Sequence, residues 1–209
     1  MAWEGPLAPC RIETDRFVVR CFEEEDAPLL KEAIDASIDH LREFMVWADD
    51  EPQTVEQKVE LLRGFRERFL SGDSFVYGIF DREERQLLGG NGLHARIGPG
   101  GLEIGYWTRA SALRQGVATE TSAVMTRVGF EVCDADRIEI RIDPANEASL
   151  GVPEKLGYPL EATLRRRLAG RPGEPLRDVA VFTLFREDYD PAVAPPLRAY
   201  DATGALVLS

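Results

Sequence analysis

The spacing of apolar residues changes several times along the chain, and each change marks an element. Phe17-Val18-Val19-Arg20-Cys21-Phe22 is a short, nearly unbroken apolar run and predicts a first strand. Asp26 stands where a helix cap belongs, with Pro28 tolerated in the first turn of a helix reaching about Ala36. Ile38 to Met45 predicts a second short helix, and Trp47-Ala48-Asp49-Asp50-Glu51-Pro52 a polar loop. Thr54 and Gln57 have the spacing of a capping box for a helix running to about Leu70, with Val59, Leu62, Phe65 and Phe69 at helical intervals.

Beyond Ser71-Gly72-Asp73, strand patterns take over. Phe75 to Phe80 and Gln86 to Ile97 predict strands joined by the charged turn 81–85. Gly98-Pro99-Gly100-Gly101 turns the chain into a returning strand, Leu102 to Thr108, so the three form an antiparallel meander. A helix follows from about Gly116 to Glu131, with Val117, Val124 and Val128 along one face. In Arg137 to Ile142, Ile138, Ile140 and Ile142 alternate with Arg137, Glu139 and Arg141, a half-buried strand. Asp143 to Asn146 is a turn, and Glu147 to Leu156 a short helix closed by Gly157. Ala162 to Leu168 and Val179 to Phe185 are the last strands, around a Gly/Pro-rich loop. The order predicts an α/β (α+β) domain: a mixed, mostly antiparallel sheet flanked by helices, with a right-handed parallel crossover from Leu102 to Ile142.

Charge narrows the partners. Acidic residues outnumber basic ones 37 to 25, a net charge of -12. Such a field repels nucleic-acid phosphates and draws cationic ligands, or serves solubility alone. No apolar run is long enough for a bilayer, and the first ten residues lack the pattern of a signal peptide, so a cytoplasmic protein without a membrane partner is expected. Cys10, Cys21 and Cys133 are scattered, and His40 and His94 are the only imidazoles, which predicts neither a disulfide framework nor a metal centre.

The sharpest chemical feature is Tyr106-Trp107-Thr108-Arg109 followed by Arg114-Gln115-Gly116-Val117-Ala118-Thr119-Glu120. A strand ends, a basic loop follows, and a helix opens on small residues. The first amides of a helix lack intrahelical acceptors, and with the helix dipole they make an anion site suited to a pyrophosphate. Gly116 and Ala118 would let phosphates approach the backbone, and Arg114 and Arg109 add positive charge. Taken alone, the motif is also what an ordinary helix start with a glycine looks like. Asn146 reads locally as a helix cap. Glu103 is either a solvated strand residue or a group able to accept the proton an ammonium must lose. His94 is the other candidate base. It pairs near Glu103 across the glycine-rich turn, and a one-residue change of register decides whether the two share a face.

Four motifs together, Glu103-Ile104-Gly105-Tyr106-Trp107, Arg114 to Glu120, Asn146-Glu147-Ala148-Ser149 and Glu154-Lys155-Leu156-Gly157-Tyr158, resemble the GNAT superfamily of N-acetyltransferases. They are most similar to its branch of ribosomal-protein N-terminal (alanine/serine) acetyltransferases. The likeness covers about Ile12 to Tyr189 in element order. It implies acetyl-CoA as co-substrate, with Tyr106 to Arg109, Arg114 to Thr119 and Asn146 as its binding residues. It also implies a hydroxyl at Ser149 beside the thioester sulfur, an acidic catalytic residue at Glu103, and an acceptor pocket with Trp47 as a wall and His94 at its edge. Asp49 and Asp50 would attract a cationic amine. The family's phosphate motif opens with Gln or Arg where this chain has Leu113, which leaves Arg114 as the charged contact. The implied reaction is direct acetyl transfer to a primary amine, on a peptide N-terminus or a small cationic molecule. A non-catalytic acyl-CoA sensing module and an antibiotic-modifying enzyme remain alternatives, as do monomer and homodimer. Arg165-Arg166-Arg167 reads as a solvated strand face or a CoA contact.

Residues 11–189 are thus expected to form the catalytic domain. The proline-rich stretch from Asp190 to Leu197 ends it. Residues 198–208, divided by Ala202-Thr203-Gly204, then form either a docked hairpin or a disordered tail.

Overall fold

The protein was analysed as a computed structural model, which describes residues 2–170 and 173–209. The elements are β1 (Arg11–Glu13), β2 (Phe17–Cys21), α1 (Ala27–Asp35), α2 (Ile38–Phe44), α3 (Val55–Leu70), β3 (Ser74–Asp81), β4 (Leu87–His94), β5 (Gly101–Thr108), α4 (Val117–Glu131), β6 (Arg137–Ile142), α5 (Glu147–Lys155), β7 (Leu160–Leu168), β8 (Arg177–Phe185), β9 (Arg198–Tyr200) and β10 (Leu206–Leu208). All ten strands form one sheet in the order β10-β9-β1-β2-β3-β4-β5-β6-β8-β7. Every pairing is antiparallel except β5 with β6, the crossover expected from the sequence.

The sheet divides two cores. On one face, α4 buries Val117, Val124 and Val128 over Leu93, Leu102, Ile104, Ile138 and Ile140. On the other, α1, α2 and α3 close Leu30, Ile34, Leu41 and Leu62 over Val18, Phe80 and Leu87. The start of α3 is fixed by its capping box: Thr54 Oγ1 accepts from the Gln57 amide, and Gln57 returns a bond to the Thr54 amide.

Four local expectations change. Asp26 precedes α1, but its carboxylate binds the Arg20 guanidinium and the Glu23 amide and caps nothing in α1. The charge-assisted pair is the stronger use of a buried carboxylate. The 47–52 loop is largely a 3-10 turn, Val46–Asp50. The strand expected to reach Ile97 stops at His94, where the Arg96 amide turns back onto the His94 carbonyl. The short strand β1 adds a hairpin with β2. At the end of the chain, β9 pairs with β1 and β10 with β9, so the sheet continues through residues 198–208.

Candidate active site

The parallel ladder between β5 and β6 is short. It joins Gly101–Ile104 to Arg137–Ile140 and stops. β5 continues to Thr108 and β6 to Ile142 without pairing, so the two strands part into a wedge. Past Thr108 the chain makes one 3-10 turn, Ala110–Ala112, and reaches two left-handed residues, Arg114 (φ 61°) and Gly116 (φ 79°). Only Gly116 adopts that conformation without steric cost. Among the described residues, the amides of Arg114 to Thr119 donate no hydrogen bond. Successive free amides around left-handed residues, at the positive end of a fifteen-residue helix, form an anion-binding concavity. Gln115 and Gly116 are exposed, Ala118 and Thr119 half-buried, and Arg114 is an exposed cation beside them.

The wedge's second wall is α5. Asn146 caps it, its Oδ1 accepting from the Ser149 amide at 3.1 Å, which leaves the Nδ2 donors free. Tyr106 reaches across the wedge and donates to the Ser149 carbonyl at 3.2 Å. Burial pushes the Tyr106 hydroxyl well above its ordinary pKa, so it stays a neutral donor. Ser149 is thereby held through both backbone groups, while its hydroxyl makes no hydrogen bond among the described residues.

On the opposite face of β5, Glu103 stands directly across from His94. Directly opposed residues share a face, with Cβ atoms about 5 Å apart. The imidazole lies over the backbone of Gly92 and Gly105: a Cβ on either would sit 3.2 Å from its Nε2. Its Nδ1 is 2.6 Å from Ser74 Oγ. Burial, then the charge of Arg96, lowers its pKa from 6.5 to about 4, so His94 is a neutral imidazole at neutral pH. Glu103 takes a two-pronged bond from Arg96, 3.0 Å at Nε and 2.5 Å at Nη2. Four residues on from Glu103, Trp107 meets Trp47 edge to face at 6.2 Å between ring centres. A cleft of about 560 Å³ opens nearby at the end of β6, lined by Arg42, Phe44 and Val46 on one side and Asp143, Pro144 and Arg177 on the other.

The model of the acetyltransferase (GNAT) domain matches residues 16–159. The chain belongs to the GNAT acetyltransferase family. It is an N-acetyltransferase, and its relatives bear this out: the uncharacterized N-acetyltransferase YoaA of Bacillus subtilis (strain 168) is 28% identical over 156 residues, 74% of this chain and 86% of YoaA. Two solved structures share the fold. RimL, a ribosomal L7/L12 alpha-N-protein acetyltransferase in complex with coenzyme A, superposes with a TM-score of 0.75 at 19% identity, over 84% of this chain and 97% of RimL. Mycobacterium smegmatis RimJ, in complex with a CoA-disulfide, gives 0.72 at 22% identity, over 90% and 91% of the two chains.

In this GNAT domain the residues singled out from sequence fall into three groups. Arg114 to Thr119 line the anion turn, with Tyr106, Ser149 and Asn146 along the wedge beyond it. Glu103, His94 and Trp107 lie on the other face of the sheet, with Trp47 against Trp107. Arg109 and Thr108 belong to neither. Both are buried, and the Arg109 guanidinium is held by both oxygens of Glu32 on α1 and by Ser111. Arg109 therefore fastens the loop to α1. Three residues shape the site through contacts that no local sequence pattern shows. Asn91, buried on β4, donates to Thr121 Oγ1 at 3.1 Å and ties α4 to the sheet. Arg16 and Glu120 join the β1–β2 turn to the anion loop. Such pairs lie 30 to 104 positions apart in the chain and appear only in the fold. Among the described residues, no helix is long and apolar enough to cross a membrane, and no cluster of three or more potential metal ligands occurs.

Proposed function

We propose that this N-acetyltransferase transfers an acetyl group from acetyl-CoA to the N-terminal amine of a polypeptide. The observation that carries the reading is the run of free amides from Arg114 to Thr119 at the mouth of the β5–β6 wedge. It suits a pyrophosphate, with the pantetheine arm running up the wedge beside Asn146 Nδ2 and the thioester arriving near Ser149. The unpaired edge of β5 supplies backbone donors for the oxyanion. An acceptor enters from the other face, past Trp47 and Trp107, and the cleft of about 560 Å³ has room for the residues behind a terminal amine. The ribosomal-protein acetyltransferases among the structural neighbours favour this acceptor class over a small molecule.

The amine nitrogen attacks the thioester carbonyl carbon. His94 Nε2, which bonds to none of the described residues, takes the proton the nitrogen gives up, and the carboxylate of Glu103 opposite it favours the resulting imidazolium. The carbon–sulfur bond breaks, the thiolate takes a proton from the Ser149 hydroxyl, which regains one from water, and the His94 imidazolium returns its proton to solvent, leaving an N-acetyl amine and free CoA. Acetyl-CoA-dependent thiol release, screened over peptide N-termini, polyamines and amino-antibiotics, tests the proposal. Turnover with peptides is expected. Turnover confined to small amines would overturn the acceptor class, and CoA binding without turnover of any amine would identify a sensing module.

A further inference from the structure

The anion turn has a built-in electrostatic difficulty. Glu120 lies in the first turn of α4, beside the amides that would face phosphate. Its carboxylate suits the helix dipole but repels a second anion there. Arg16, at the tip of the β1–β2 hairpin, meets this carboxylate: Nη1 donates to Glu120 Oε2 at 2.8 Å, while the buried Thr14 hydroxyl donates to Oε1 at 3.1 Å. Both oxygens are drawn toward the hairpin. Arg16 Nη2 also donates to the Gln115 carbonyl at 2.8 Å. In a trans peptide the carbonyl and the following N–H point in opposite directions. Holding the Gln115 carbonyl on the hairpin side therefore aims the Gly116 N–H away from it, into the open turn. The guanidinium is itself steadied over the Phe17 ring, 4.6 Å from its centre.

We propose that Arg16 is a positioning residue for the CoA phosphates: it cancels the charge of Glu120 and locks the Gln115–Gly116 peptide with its amide outward. The inference rests on the reading of Arg114 to Thr119 as the phosphate site. It makes the hairpin preceding α1 part of the donor site, although no atom of Arg16 need touch the ligand.

The test combines calorimetric titration of CoA with steady-state kinetics on four variants. Arg16→Gln should raise the Kd for CoA and the KM for acetyl-CoA about ten-fold, with the loss falling on KM and not on kcat. Adding Glu120→Gln should recover at least about half of that loss on a logarithmic scale, because the uncompensated charge is gone. Arg16→Lys keeps the charge but cannot reach both partners, so its Kd should rise about three-fold. This variant carries the test if Arg16→Gln does not fold. Gly116→Glu is the control for the site itself and should abolish binding. If Gly116→Glu binds CoA as the wild type does, the phosphate-site reading fails. If it abolishes binding while either Arg16 variant leaves Kd unchanged, the role of Arg16 is overturned. No recovery in the double variant, or a loss confined to kcat, overturns it as well.

Discussion

Protonation of His94 should be a main cause of acid destabilisation in this protein, and its size follows from the site. The imidazole lies flat on the backbone of Gly92 and Gly105 with Nδ1 against Ser74, and it faces the guanidinium of Arg96. Burial and that charge lower its pKa from 6.5 to about 4. The folded protein therefore binds this proton less readily than the unfolded chain. Stability is complete above pH 6.5 and is lost as pH falls toward 4. At pH 5 an unfolded imidazole is almost fully protonated and the folded one about one-tenth so, a loss of about 2 kcal/mol, rising to about 3.4 kcal/mol below pH 4. With a urea slope of about 2 kcal/mol/M, the midpoint should drop by about 1 M between pH 7.5 and pH 5 on this account alone. His94→Asn keeps a partner for Ser74 and removes the titration. The assay is urea unfolding of both proteins at the two pH values, comparing the losses rather than the absolute stabilities. Groups titrating elsewhere contribute equally to both. Equal losses in wild type and variant would refute the reasoning.

The remaining predictions concern the reaction. His94→Asn should lower kcat/KM about 10²-fold at neutral pH, the usual contribution of a positioned base, and Glu103→Gln should lower it less; pH–rate profiles that superimpose on wild type would remove both from the mechanism. Asn146→Ala should raise the KM for acetyl-CoA and Ser149→Ala should lower kcat, measured on one peptide; the reverse pattern would show the roles to be exchanged. Gly116→Ala puts its methyl 3.6 Å from Arg16 Nη1 without a clash, so it should cost only the left-handed backbone, about 1–2 kcal/mol of stability by chemical denaturation.

How far the sequence revealed all this depends on whether each feature is local. The capping box of Thr54 and Gln57, the alternation of Ile138, Ile140 and Ile142, and Gly157 closing α5 at φ 78° are short-range signals, and the structure has each where the pattern put it. β1 was not legible. Arg11-Ile12-Glu13 is three residues long and is a strand because β2 and β9 pair on either side of it. The place of β8 between β6 and β7 was equally hidden, since the chain reaches it last of the three. In the site, the glycine turn and the Asn146 cap were readable because both are backbone features of one element. Arg109 was misleading: its position in a basic loop suggested an anion contact, but Glu32, 77 residues earlier, holds it. The same long separation hid the pairing of Arg16 with Glu120.

The alternating charges of β6 are the reason the proposed mechanism gives the proton to His94 and not to Glu103. In the sequence, Arg137, Glu139 and Arg141 look like a strand's solvent face. In the fold Glu139 is only 6% exposed and lies in parallel register with Glu103, itself 7% exposed. Two neighbouring carboxylates this poorly hydrated repel each other strongly unless cations intervene. Three do: Arg137 is 3.4 Å from Glu139, Arg141 lies 2.9 Å from Glu139 and 3.9 Å from Glu103, and Arg96 grips Glu103 at 2.5 Å. The arrangement fixes both carboxylates in place, and it ties up the oxygens of Glu103 that a proton would have to reach. On that proposal an incoming ammonium would meet the field of this carboxylate across from an imidazole that is already neutral. In the proposed mechanism the Nδ1–H of His94 donates to Ser74 and leaves Nε2 to take the proton, while Glu103 supplies attraction for the cation, so neither residue has to provide both.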